Sequence, residues 1–70
     1  MSEGTITWVH GPVLHARSEE TFQVHEAVAV GSKGLLGEVI HLDGRKLVIQ
    51  VYEDTTGLRP GGPVRGHGQP

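Results

Sequence analysis

Seventy residues with a formal charge of −2, from six basic and eight acidic side chains, make one domain and leave no room for a second core. The absence of cysteine excludes disulfides, thiolate zinc sites and cysteine nucleophiles together, and suits a reducing compartment. At 36% hydrophobic and 4% aromatic residues, the core must be built from Val, Ile and Leu. So short a chain buries only about 60% of its unfolded surface, so support from neighbouring chains is expected. Arg45-Lys46 is the only adjacent basic pair, which argues against a nucleic-acid module, since such modules ordinarily present a basic face. No apolar stretch approaches the roughly 20 residues of a membrane span. Met1-Ser2-Glu3-Gly4 has neither the basic start nor the apolar run of a signal peptide, and a soluble, cytosolic domain is expected.

Eleven glycines and four prolines interrupt the chain every several residues. The segments between them are short and rich in β-branched side chains, the pattern of an all-β barrel or sandwich. Thr5–His10 reads as a strand with Ile6, Trp8 and His10 on one face and Thr5, Thr7 and Val9 on the other. Gly11-Pro12 turns the chain into a short strand, Val13–Ala16, and a polar loop covers Arg17–Thr21. Phe22–Val30 reads as the next strand, with Val24, Glu26, Val28 and Val30 sharing one parity and the small Ala27 and Ala29 on the other. After a Gly31–Gly34 turn, Leu35–Leu42 and Lys46–Tyr52 form a hairpin around Asp43-Gly44, a pair suited to a type I′ turn with positive φ at both central residues. Ile40 and Leu42 then share a face, as do Leu47, Ile49 and Val51, and Gly37 is the candidate bulge. Glu53-Asp54 leads into Thr55–Leu58, a turn with Leu58 packed back on the core. Pro60–Pro63 breaks the chain again before a last short strand at Val64–Gly66.

Chemistry is hard to place on these residues. Val30-Gly31-Ser32-Lys33-Gly34 has neither the spacing nor the order of a phosphate-binding P-loop and reads as a turn. Of five histidines, His10 and His15 flank the Gly-Pro turn, while His25, His41 and His67 lie elsewhere. No spacing makes three converge as zinc requires, although a small barrel could bring His10, His15 or His41 together. They read as surface or half-buried side chains, with a weak metal site or a response near neutral pH as the functional alternative. Glu19-Glu20 and Glu53-Asp54 are adjacent pairs, which on a strand point to opposite faces, and read as solvated loop charges. Ser18 lies three residues from His15 and next to Glu19, with nothing to fix a triad's geometry. An oligonucleotide-binding barrel is the architectural rival, but stacking platforms are scarce: only Trp8, Phe22 and Tyr52 are aromatic, and Trp8 reads as a core or interface anchor.

The run Gly37-Glu38-Val39-Ile40-His41-Leu42-Asp43-Gly44, followed by Ile49-Gln50-Val51-Tyr52-Glu53-Asp54-Thr55-Thr56-Gly57-Leu58, carries a resemblance. It is similar to the N-terminal barrel of the catalytic A subunit of vacuolar- and archaeal-type rotary ATPases, whose pattern reads G-E-V-I-x-L-x-G, then I-Q-V-Y-E-x-T-x-G-L, then x-P-G-x-P-V. Gly4, Ile6, Gly11-Pro12-Val13, Val30-Gly31, Gly61 and Pro63-Val64 extend the likeness, and Gly68-Gln69-Pro70 resembles the family's following T-G-x-P without its Thr. Departures fall at His25, where Tyr is usual, at Gly62, where Glu is frequent, and at His67, where Thr is usual.

The resemblance implies a small closed six-stranded antiparallel β-barrel, with residues 1–70 a single domain, the barrel at about 4–66 and a tail at 67–70. It implies a structural role. In that family the barrels of alternating A and B subunits form a ring crowning a hexamer, and nucleotide binds in a following domain. The expected partners are those neighbouring A- and B-type barrels, in the cytoplasmic, peripheral sector of an ATP-driven proton or sodium pump or synthase. No nucleic acid and no direct membrane contact are expected, and for the isolated chain both self-association through exposed flanks and a monomer stay open. No catalytic, cofactor-binding or metal-binding residue is carried over, no cofactor is expected, and the chain by itself is expected not to be an enzyme. The alternative is a stand-alone small barrel that binds a metal, a small ligand or an oligonucleotide.

Overall fold

The computed structural model describes residues 2–67. Of the expected tail, residues 68–70 lie outside the described residues, and with them the Gly68-Gln69-Pro70 likeness. Six strands run in order: β1 (Glu3–His10), β2 (Val13–Arg17), β3 (Ala27–Val30), β4 (Leu35–Asp43), β5 (Lys46–Val51) and β6 (Pro63–Gly66). They close as β1-β2-β5-β4-β3-β6, with β6 returning to β1, and every neighbouring pair is antiparallel. The described residues contain no helix. This is the closed six-stranded antiparallel barrel that the resemblance implies.

Two tight hairpins set the register. His10 pairs with Val13 across Gly11-Pro12, and Asp43 pairs with Lys46 across Gly44-Arg45. The second loop therefore sits one residue later than the expected Asp43-Gly44. Gly44 has φ 62 and Arg45 keeps an ordinary negative φ, so the turn is the II′ kind, which needs glycine at its first central position only.

Every strand contributes to a core of Ile6, Leu14, Ala16, Val28, Val30, Val39, Leu47, Ile49, Val51 and Val64, with Phe22 added from a loop. The expected shared face of Leu47, Ile49 and Val51 points inward. Two other expected faces do not survive, because β1 and β4 each carry a bulge. Ile6 pairs with Ala16 and Trp8 with His15, which leaves Thr7 without a partner. From Trp8 onward the parity flips: Trp8 turns outward, and Val9 packs against the core instead. In β4, Val39 pairs with Ile49 and His41 with Val48, so Ile40 is the extra residue. Ile40 faces solvent and Leu42 packs inward. Bulges sharpen the twist that six short strands need to meet edge to edge. Gly37 is not the bulge. It pairs regularly with Val51, and a Cβ there would lie 2.8 Å from the Gln50 carbonyl oxygen, so its smallness serves close approach.

The expected strand Phe22–Val30 is shorter, beginning at Ala27. His25 takes φ 72, a left-handed conformation that ends the extended run, and Val24 is exposed instead of joining the inward set. The segment preceding β3 seals one barrel end with buried Phe22, Ser18 and Glu26. At the other end Leu58 packs back on the core as expected, above Gly31.

Candidate functional site

The interior is filled by aliphatic side chains, and no buried side-chain nitrogen or oxygen among the described residues lacks a hydrogen-bond partner. Whatever the barrel does, it does from its outside. The outer surface of β1-β2-β5-β4 follows from the two bulges. They place Trp8 beside His15, and His15 and His41 on either side of Val48, in one row across four strands. The Trp8 ring stacks on His10, centroids 5.7 Å apart and 10° from parallel, and lies tilted against His15 at 4.5 Å. Trp8 and Ile40 remain 44% and 41% exposed, which corrects the core reading of Trp8 and leaves the interface reading. The central row carries imidazoles but no Lys, Arg, Asp or Glu. Arg17, Lys46 and Asp43 form the next row, at its rim.

A second cluster lies over β4. Tyr52 donates its hydroxyl to Glu38 Oε1, and His25 Nδ1 stands 2.8 Å from Glu38 Oε2. Together with Ala27, Leu36 and Gly37 they line an open depression of about 320 Å³. The Tyr52 hydroxyl, then the His25 ring, hold the Glu38 carboxyl below its usual 4.5, and the carboxylate in turn raises the Tyr52 phenol above 10.0. The carboxylate's contribution to stability is therefore complete above pH 4.5 and is lost as pH falls through its depressed folded value. The phenol's is complete below pH 10.0 and is lost as pH rises through its elevated one. Urea midpoints of the wild type and Glu38→Gln should differ on the plateau between those limits and converge once the pH falls below the point where Glu38 titrates in the folded chain by NMR; a gap that persists unchanged below that point would refute the assignment.

The remaining candidates make local contacts. Ser18 is buried, donates to the Glu3 carbonyl at 2.5 Å and accepts from the Glu20 amide at 2.9 Å, which ties the loop to β1. Glu19 pairs with Arg45 at 3.2 Å, both well exposed, and Glu20 accepts the Glu3 amide. Glu53 accepts the Leu36 amide at 2.7 Å. Asp54 accepts the Thr56 amide and hydroxyl, which lower its carboxyl. Among the described residues no three His, Asp or Glu side chains gather as a metal would need. His41 and His67 are exposed.

Comparison with known proteins fits this geometry. The sequence profile of the ATP synthase alpha/beta family, beta-barrel domain, matches residues 6–68. The chain belongs to that family. The barrel domain is 52% identical over 68 residues to the A subunit of the A-type ATP synthase of Ignicoccus hospitalis, covering 97% of this chain and 11% of that one. It is 51% identical over 65 residues to the A subunit of the A-type ATP synthase of Thermococcus onnurineus, covering 93% and 11%. It is 46% identical over 70 residues to the V-type ATP synthase alpha chain of Thermoanaerobacter sp. strain X514, covering 100% and 12%. The chain thus spans about one-ninth of the length of the relatives it matches, and it resembles the N-terminal barrel of their A subunits.

Within this ATP synthase barrel domain, the motif runs acquire physical roles. Gly37 and Glu38 of the first run supply the close approach to β5 and the acceptor of the cluster, and Tyr52 of the second supplies its donor. The departure at His25 sits in that same cluster. Residue-by-residue reading missed the Glu38–Tyr52–His25 contact because its members are 13 and 14 positions apart. Only the fold brings them together, with Tyr52 just past β5 donating its amide to the Leu36 carbonyl at 3.0 Å.

Proposed function

We propose that this chain is a non-catalytic assembly module: the barrel by which one subunit of a rotary ATP synthase or ion pump is held to its neighbours. On this reading its partners are the barrels of adjacent A- and B-type subunits in a hexameric ring, in the cytoplasmic sector of a membrane-bound complex. Residues 1–70 act as one domain, and no residue serves in catalysis, in cofactor binding or in metal binding. The observation that carries the reading is a family match over 63 of 70 residues onto a barrel whose buried hydrophobic core is aliphatic apart from Phe22. The absence of a Gly-rich Lys-Ser/Thr phosphate loop from the 70 residues supports the non-catalytic part.

Two measurements test it. Equilibrium dialysis against ATP should detect no binding by the folded chain at millimolar nucleotide, and saturable binding would overturn the reading. Grafting residues 4–66 in place of the matching segment of the Ignicoccus hospitalis protein should yield a chimera that still assembles with its partner subunits. A folded chimera that stays unassembled would refute the assembly role.

A further inference from the structure

At the barrel end where β3 turns into β4, the long connection from β5 to β6 folds back and leaves a depression of about 190 Å³. Half-buried Leu35 and Leu58, with Pro63, give it an apolar side, and exposed Ser32, Lys33 and Arg59 give it a polar, cationic one. The backbone around it is tied down. Gly31 donates to the Pro63 carbonyl at 2.8 Å and so joins the two segments, while Leu58 and Gly62 close turns on the Thr55 and Arg59 carbonyls at 2.9 and 3.1 Å. Gly31 has φ 76, and a Cβ there would strike Leu58 Cδ2, so only glycine lets Leu58 lie directly over the turn. The amides of Ser32, Lys33, Gly57 and Arg59 enter none of the hydrogen bonds among the described residues, and neither Lys33 nor Arg59 forms a close ion pair there. We propose that this depression captures the C-terminal carboxylate of a polypeptide whose last side chain is aliphatic.

Size, composition and charge select that ligand. The space is smaller than the roughly 300–1,000 Å³ of sites for drug-sized molecules, so it suits a single residue. In a chain terminus the carboxylate and the last side chain share one Cα, which places an anionic and an apolar group together within that small space. An internal Asp or Glu would bring its own stem to the cations and leave the apolar side to another residue. Lys33 and Arg59 offer charge-assisted donors, one from each segment, and the unengaged backbone amides beside them are the groups by which terminal carboxylates are commonly held. Two carboxylates lie in the same connection. Glu53 accepts the Leu36 amide. Asp54 accepts the Thr56 amide and hydroxyl, which lower its carboxyl, and the Lys33 charge adds to them. Asp54 thus offsets part of the cationic charge, which matches one carboxylate and not a polyphosphate. The site occupies an end of the barrel and leaves its walls uncovered, so it stands independently of the assembly reading.

The test is a heteronuclear NMR titration of the folded chain with N-acetyl-Gly-Leu from about 10 μM to about 10 mM. The amides of Ser32, Lys33, Gly57 and Arg59 should shift together and saturate. The same peptide with an amidated C-terminus, and N-acetyl-Gly-Gly, which lacks the apolar side chain, should each bind at least about tenfold more weakly. Amidated N-acetyl-Leu-Glu, whose carboxylate sits on a side chain, should also bind more weakly than N-acetyl-Gly-Leu. Lys33→Ala and Arg59→Ala, at exposed positions, should each weaken binding at least about threefold, with circular dichroism confirming the fold. Asp54→Asn keeps the side-chain oxygen that Thr56 uses and removes its charge, so it should tighten binding. The absence of saturable shifts, any of the three control peptides binding as tightly as N-acetyl-Gly-Leu, cation variants that bind like the wild type, or weaker binding by Asp54→Asn would overturn the proposal.

Discussion

Ile49→Ala should remove about 3 kcal/mol of stability and, with it, a large part of what holds this protein folded. Ile49 has no exposed surface and lies on β5 between Leu14 of β2 and Val39 of β4, so it touches both neighbouring strands at mid-barrel. Its Cγ2 also fills the space that Gly37 leaves, 3.1 Å from where a Cβ would stand. At roughly 0.05–0.15 kcal/mol per residue, 70 residues carry roughly 4–10 kcal/mol in all. Nothing nearby can fill the gap, because the core is aliphatic except for Phe22 at one end, and a hydrogen-bonded barrel cannot collapse inward without breaking its ladders. The expected readout is a fall in thermal midpoint of about 10–25 °C, with a matching loss in urea midpoint. Ile40→Ala is the control. The same residue type, nine positions earlier but on the bulge and 41% exposed, should cost no more than about 0.5 kcal/mol. A loss below about 1 kcal/mol at Ile49, or equal losses at both sites, would show the β4–β5 register to be wrong.

Gly66→Ala is the second large effect, expected at about 2–4 kcal/mol. A Cβ at Gly66 would fall 2.2 Å from Glu26 Oε2 and 2.8 Å from Phe22 Cε2. Neither neighbour is free to retreat. Glu26 is 2% exposed and its Oε1 accepts the Gln23 amide at 2.9 Å, while Phe22 is 4% exposed and closes the barrel end. The methyl group therefore either drives the carboxylate off its hydrogen bonds in a buried setting or pulls β6 away from β3, where Gly66 pairs with Val28. A double-mutant cycle with Glu26→Ala separates the two. If the carboxylate is the obstacle, Gly66→Ala should cost much less on the Glu26→Ala background than alone. Additive losses would place the obstacle at Phe22 and the strand pairing instead.

Both effects are large because the chain is small. Among the described residues a barrel of this size draws its stability from eleven buried hydrophobic side chains. The proposed assembly role and the narrow margin meet in one circumstance: several large apolar side chains, Trp8 and Ile40 among them, are exposed.

Much of this was legible in residue types and spacing. Glycines and prolines at short intervals, with β-branched residues between them, specify an all-β chain, and the strands at Val13, Leu35, Lys46 and Val64 fall within a residue or two of where the pattern puts them. The inward set Leu47, Ile49, Val51 follows from alternation alone, because β5 is regular throughout. The motif runs point to the family. Alternation fails at β1 and β4 for one reason: a two-residue period assumes an unbroken register, and an extra residue at Thr7 or Ile40 reverses every face beyond it. Whether a strand takes such a residue is settled by the bend needed to close the barrel, which is a property of all six strands together. The same closure decides that Trp8 lies outside against His10 and His15 and that His25 reaches Glu38. Local chemistry thus determined what the segments are, and the geometry of closing them determined which way they face.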